Sequence, residues 1–154
     1  MKTAIVYYSK HHGNTKKVID SIVENHEVEL INVTDPNACK DLSEYDRIGI
    51  ASGIYYSSFG RPLLKYIREN LPKGKQIFLI YTCGSKKHSR KYTQEVRQIV
   101  LEKGSGIFGS YGCYGHDSFG PLKLVGGIRK QHPDDRELSA AVKFYDGLMK
   151  NAKK

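Results

Sequence analysis

The sequence predicts an α/β fold: a doubly wound, five-stranded parallel sheet in the order 2-1-3-4-5 with helices on both faces. Three observations lead to it. Short apolar runs alternate with segments of helical period from end to end of the chain, as in a succession of βαβ units. The two strongest runs, residues 4–8 (AIVYY) and 77–81 (IFLIY), are apolar without alternation, as strands buried on both faces are. The turn after the first run combines hydroxyl and amide residues with a glycine, the composition of a ligand loop. That places the switch point of the sheet between strands 1 and 3, where open α/β sheets bind ligands outside the carboxyl ends of their strands.

Each element can be justified in order. Residues 3–8 (TAIVYY) are rich in β-formers and end at Ser9 and a Gly-containing loop. From Asn14 the period changes: Val18, Ile19, Ile22 and Val23 recur at helical spacing, with Lys16, Lys17, Asp20 and Glu24 between them. Residues 27–33 (EVELINV) alternate and suit an edge strand, and Asp35-Pro36-Asn37 then marks a turn. Residues 47–52 (RIGIAS) form the third strand. A helix over 62–70 carries Pro62 in its first turn and Leu63, Leu64 and Ile67 on one face. Residues 76–82 (QIFLIYT) are the central fourth strand. A helix from about 89 to 103 turns Val96, Ile99 and Val100 inward, and residues 106–113 are the fifth strand. A Gly-rich stretch over 114–132 leads to a last helix from about 134 to 150. Gly104, Gly106 and Gly109 spell GxGxxG, but they precede and enter a strand instead of opening a helix, so they read as turn glycines.

Composition narrows the function. The 154 residues are 39% hydrophobic and 27% charged, which suits one globular domain over 1–154. Mean hydropathy is −0.51, and no apolar run could span a bilayer. The first residues do not read as a signal peptide. Cys39, Cys83 and Cys113 have no CxxC spacing, so neither a disulfide scaffold nor a zinc ribbon is expected, and a cytoplasmic, reducing location is. The histidines show no i, i+4 pair, so no metal site is expected.

Three loops at the predicted ligand end carry the candidate chemistry. The first, Ser9-Lys10-His11-His12-Gly13-Asn14-Thr15, joins a buried strand to a helix N-terminus. There unpaired backbone N–H groups and the helix dipole favour an anion, Gly13 lets the backbone approach, and Ser9, Asn14 and Thr15 can add donors. It lacks GxxxxGK[ST], which disfavours a nucleoside triphosphatase. The second runs from Ser52 and Gly53 through Ile54, Tyr55 and Tyr56 to Gly60. Its aromatic residues suit a stacked flat ligand, or else plug the end of the sheet. The third, Thr82-Cys83-Gly84-Ser85, offers donors to a polar ring edge. Cys83 lies either beside the ligand or in the core, and Cys83 and Cys113 sit at neighbouring strand ends.

Together these loops resemble those of the flavodoxin family: Ser9…Gly13-Asn14-Thr15 after the first strand, Ser52-Gly53-Ile54-Tyr55-Tyr56 after the third, Thr82-Cys83-Gly84 after the fourth. The resemblance implies a flavodoxin-like fold and non-covalent FMN. It assigns the phosphate to Ser9, His11, His12, Gly13, Asn14 and Thr15, the flavin face to Tyr55 or Tyr56, and the pyrimidine edge to residues 82–85. It also implies an electron carrier whose Gly53–Gly60 loop offers a backbone carbonyl to the flavin N5–H. The alternative is an FMN-dependent oxidoreductase acting on a small substrate such as a quinone or protoporphyrinogen, with His116-Asp117 as an acid/base pair or simply a loop turn.

Net charge is the main departure from that family. The chain stands at +9, and residues 81–132, with nine cations against three carboxylates, hold +6 of it. A basic chain invites a nucleic-acid reading, but no aromatic RNP-like strand or helix-turn-helix pattern supports it. Placed beside a flavin, the same cations raise its potential and steer an acidic redox partner or an anionic small substrate.

Overall fold

A computed structural model describes residues 1–10, 13–115 and 131–152. The strands are β1 (Thr3–Tyr8), β2 (Glu29–Asn32), β3 (Arg47–Tyr55), β4 (Ser58–Phe59), β5 (Gln76–Cys83) and β6 (Gly106–Tyr114). The helices are α1 (Asn14–Val23), α2 (Arg61–Asn70), α3 (Ser89–Glu102) and α4 (Asp135–Asn151). The main sheet runs β2-β1-β3-β5-β6, parallel throughout, which is the order expected from the sequence.

Strand periodicity explains the two layers of helix. Successive side chains of a strand point to opposite faces. Ala4 and Val6 of β1, Ile48 and Ile50 of β3, and Ile77 and Leu79 of β5 therefore share one face. There they pack with Leu63, Leu64 and Ile67 of α2 and Val96, Ile99 and Val100 of α3. Ile5 and Tyr7, Ala51, Phe78 and Ile80 take the other face, against Val18, Ile19 and Ile22 of α1 and Ala141, Tyr145 and Leu148 of α4. The central strands are apolar on both sides because each side has its own helical layer.

Two details depart from expectation. The stretch from Ser52 to Gly60 is not a loop. β3 continues to Tyr55 and folds back as β4, pairing Ile54 with Phe59 and Tyr55 with Ser58 in antiparallel fashion. Tyr56 (φ 51°) and Ser57 (φ 62°) connect them, and positive φ at both central residues is the pattern of a type I′ turn. The sheet thus has a sixth, short strand. Of the three glycines read as turn residues, only Gly104 (φ 64°) is one, while Gly106 and Gly109 lie within β6. Gly109 sits where a Cβ would come within 2.6 Å of Leu148, so its lack of a side chain lets α4 pack closely on the strand.

Candidate functional site

The carboxyl ends of β1, β3, β5 and β6 meet at one end of the sheet, and a ring of contacts holds their loops together. The first and third loops are joined inside the protein by Thr15 and Thr82, whose hydroxyl oxygens lie 2.9 Å apart with both residues buried. The first loop and the hairpin are joined by Tyr55. Its hydroxyl accepts from the Lys10 backbone N–H (3.0 Å) and donates to the Lys10 carbonyl (3.2 Å). Burial pushes this phenol above its ordinary pKa, and the bond from the backbone N–H partly offsets the shift. Beyond β6, Gly115 donates to the Cys83 carbonyl (3.0 Å), and a Cβ on Gly115 would come within 2.6 Å of the Asn14 amide, so that backbone lies directly against the first loop.

The start of α1 has the chemistry of an anion site. Gly13, left-handed at φ 63° and ψ 30°, stands at the N-cap, where it offers no side-chain cap, and no carboxylate occupies the first turn. A Cβ on Gly13 would meet nothing within 4 Å, so the loop is open there. The positive end of the helix dipole and the first-turn N–H groups, which have no intrahelical acceptor, lie at this loop. The Ser9 hydroxyl accepts from the Lys16 N–H (3.2 Å) and keeps its own proton to donate. Asn14 and Thr15 are both buried, with the Thr15 side chain turned inward to Thr82. His11 and His12 lie outside the described residues.

The hairpin separates the two tyrosines. Tyr55 packs edge-on against Tyr8, with ring centroids 5.4 Å apart, and is tied to Lys10. Tyr56 occupies the turn and is 86% exposed. A tyrosine in the left-handed region costs about 1–2 kcal/mol, so this tip combines backbone strain with an exposed aromatic ring. Ser52 is fully buried and braces the hairpin: its hydroxyl donates to the Gly53 carbonyl (2.6 Å) and accepts from the Gly60 N–H (2.9 Å). Gly53 leaves room for the Tyr55 hydroxyl, which would lie 2.8 Å from a Cβ there. Ile54 is partly buried against the core. In the third loop Gly84 is half-buried and Ser85 exposed, its hydroxyl accepting from the Lys87 N–H (3.3 Å).

Cys83 is buried in the core shared with α2 and α3, and Cys113 in the core shared with α1 and α4. The two thiols thus face opposite sides of the sheet and are not a redox pair. Burial, then the charge of Glu137, pushes the Cys113 thiol far up. Burial likewise raises the Tyr66 phenol to about 12. Such groups keep their protons in the folded chain and release them on unfolding, so stability is full below their ordinary pKa and falls as pH rises beyond it. We expect the denaturant midpoint to drop between pH 8 and pH 10.5, and to drop less in Cys113→Ala, measured against that variant's own value at pH 7. Equal drops in the two proteins would refute the assignment.

Lys86, one of the nine cations over 81–132, and a joint that the sequence did not single out complete the rim. Lys86 lies over the Tyr114 ring, its Nζ 4.9 Å from the centroid. Glu137 accepts from the Tyr114 N–H (2.8 Å) and bonds His132, while Asp134 caps α4 by accepting from the Glu137 N–H (2.9 Å). The spacing Asp-x-x-Glu ahead of a helical pattern was the available signal for this joint. His132, Asp134 and Glu137 could together hold a cation, their ligand atoms lying within 4.8 Å of one another. Their groups already serve the cap and the end of β6, and a helix N-terminus disfavours positive charge. His116 and Asp117 lie outside the described residues.

Residues 5–106 match the flavodoxin domain family. An uncharacterized protein of Methanocaldococcus jannaschii is 30% identical over 98% of this chain and 100% of its own. Among solved structures, a flavodoxin from the domain Archaea superposes with a TM-score of 0.71 at 20% identity, covering 100% of both chains. An NADH:FMN oxidoreductase superposes with a TM-score of 0.61 at 17% identity, covering 96% of this chain and 88% of that one. At such identities the likeness concerns the fold, which by itself does not choose between carrier and enzyme.

Proposed function

We propose, from the premise that this chain belongs to the flavodoxin domain family, that it binds FMN non-covalently and serves as an electron carrier. The observation that carries this reading is the convergence, at one end of the sheet, of a helix N-terminus with glycine at its N-cap and no carboxylate in its first turn, and an exposed tyrosine on a strained hairpin tip. The residues present fit the group. The first turn of α1, with Gly13, Asn14, Thr15 and Ser9, has the donors a phosphate needs, and His11 and His12 belong to the same loop. Tyr56 is the residue for the ring face, and Gly84 and Ser85 are those for a polar ring edge. Thr15, Ser52, Tyr55 and Thr82 hold the loops in place through their internal bonds. FMN, when bound, supplies one- and two-electron redox chemistry, and the protein supplies orientation, exclusion of water and the surrounding charge.

The partner in this reading is an acidic redox protein. Lys86, Lys87, Arg90 and Lys91 follow β5 at the rim, and all four are exposed. Positive charge there favours the anionic reduced state of a flavin and attracts acidic surfaces in a salt-dependent way. Among the described residues no helix is long and apolar enough to cross a membrane.

Two measurements test the proposal. Anaerobic photoreduction of the FMN-loaded protein is expected to accumulate a one-electron-reduced spectrum. Direct two-electron reduction, with steady turnover of a quinone by reduced nicotinamide, would instead establish the oxidoreductase. In the second, Lys86→Glu/Lys87→Glu is expected to lower the flavin midpoint potential; an unchanged potential would remove the role given to the basic rim.

A further inference from the structure

Outside the flavin end, a groove of about 960 Å³ runs along the flank of the sheet between α3 and β6. Its wall is the exposed stripe Arg90, Gln94, Arg97, Gln98 and Leu101, spaced as one face of a helix, with Lys91 beside it. Its floor is open at the middle of β6, where two small residues, Ser110 and Gly112, lie between Ile107 and Tyr114 on this face. Ser110 pairs with Leu79 and Gly112 with Tyr81, and Tyr81 lies so close over Gly112 that a Cβ there would be 2.2 Å from its ring. β6 is the last strand of the sheet, and among the described residues no strand pairs with its outer edge. A last strand of 9 residues, with only its Tyr114 end engaged by Glu137, is a template for another extended chain.

Charge selects the occupant. Arg90, Lys91 and Arg97 line the groove, while its one lining carboxylate, Glu102, accepts from Gln98 (3.2 Å). Glu95, also on α3, is engaged by Arg61 (2.9 Å) and Arg68 (2.7 Å) rather than by these cations. Residues 116–130 of this chain carry Lys123, Arg129 and Lys130 against Asp117 and so meet the groove with like charge, and a second copy, at +9 overall, is repelled at long range. Nucleic acid would satisfy the cations but makes no use of a strand edge or of Leu101, which is 69% exposed.

We infer that the α3–β6 groove docks an extended acidic segment of a partner protein, which pairs its backbone with the outer edge of β6 and sets its carboxylates against Arg90, Lys91 and Arg97. Arg90 and Arg97 are about 10 Å apart along the helix and Leu101 about 6 Å further, so carboxylates on alternate residues over about three strand residues, with an apolar residue about two further on, match the wall. The inference deepens the redox-partner reading by giving the partner a place beside the flavin end, and the binding itself needs no flavin.

The test uses a labelled ten-residue peptide of alternating Glu and Val. Controls are the matching Lys/Val peptide and a ten-nucleotide oligothymidylate, each measured on the full chain with and without added FMN. A chain that fails to take up FMN still tests the groove, so the two readings fail separately. The Glu/Val peptide is expected to bind and to slow hydrogen exchange of the β6 amides. Arg90→Glu/Lys91→Glu/Arg97→Glu should weaken it about tenfold or more, whereas the exposed set Lys40→Glu/Lys65→Glu/Lys73→Glu, with the same change in net charge, should weaken it less than about threefold. Equal losses in the two variants, unchanged β6 exchange, or tighter groove-dependent binding of the oligothymidylate would each overturn the inference. So would a β6 edge already protected in the peptide-free chain with no peptide bound, which would show that residues of this chain cover it.

Discussion

Replacing Gly13 by valine is expected to erase most of the preference for FMN over riboflavin. Gly13 holds φ 63° at the N-cap of α1. A β-branched residue is disfavoured there by about 1–2 kcal/mol although its side chain has room, so the chain gains by moving the cap out of the left-handed region. The first-turn N–H groups then no longer converge. Each charge-assisted bond they make to a phosphate is worth about 1.5–3 kcal/mol, so FMN affinity should fall on the order of 10- to 100-fold. Riboflavin lacks the phosphate and should bind the variant as it binds the parent. Comparison of the two ligands by fluorescence quenching isolates the phosphate contribution. A parallel loss of both would place the defect in the ring site or the fold, and no loss of either would remove the phosphate from this turn.

The second large effect is expected at the joint between the first and third loops. Thr15 and Thr82 exchange a buried hydrogen bond of 2.9 Å. Thr82→Val keeps the shape and the strand preference but leaves the Thr15 hydroxyl buried without this partner. That costs about 1–3 kcal/mol, or on the order of 5 °C in Tm for a chain of this size. Thr15→Val/Thr82→Val removes both hydroxyls and should recover most of the loss, since an apolar pair of the same shape strands no polar group. If the double variant loses the full sum of the two single losses, the bond does not hold the loops together.

Much of this architecture was legible in the sequence because burial imposes a period on it. Residues 77–81 are apolar at every position since β5 is covered on both faces, and Val96, Ile99 and Val100 follow the stripe that α3 buries. The hairpin was not legible. β4 has only two residues, and the turn that normally announces such a hairpin, Asn-Gly, is here Tyr56-Ser57. Glycines and serines from Gly53 to Gly60 therefore read as loop. For the same reason the residues by themselves pointed to Tyr55 as the ligand contact, and the resemblance to Tyr55 or Tyr56. Their roles are set by where the strand ends, since Tyr55 closes β3 and reaches Lys10, while Tyr56 takes the turn. The separation of Cys83 and Cys113 follows from strand register, which proximity in sequence pattern does not convey: Cys83 pairs with Tyr114, and Thr82 with Cys113.

The charge that departs from the family pattern also has a structural place. Lys86, Lys87, Arg90, Lys91 and Arg97 are all exposed and run from the loop after β5, at the carboxyl end of the sheet, along α3. They form one continuous field, suited to guiding an acidic surface toward the site and holding it beside the sheet edge.

The most direct measurement is a fluorescence titration of FMN with the flavin-free protein. Quenching that saturates at one FMN per chain, with riboflavin binding at least about tenfold more weakly because it lacks the phosphate, is the expected result. FMN fluorescence unchanged in the presence of excess protein would contradict the reading of this end of the sheet as a flavin site.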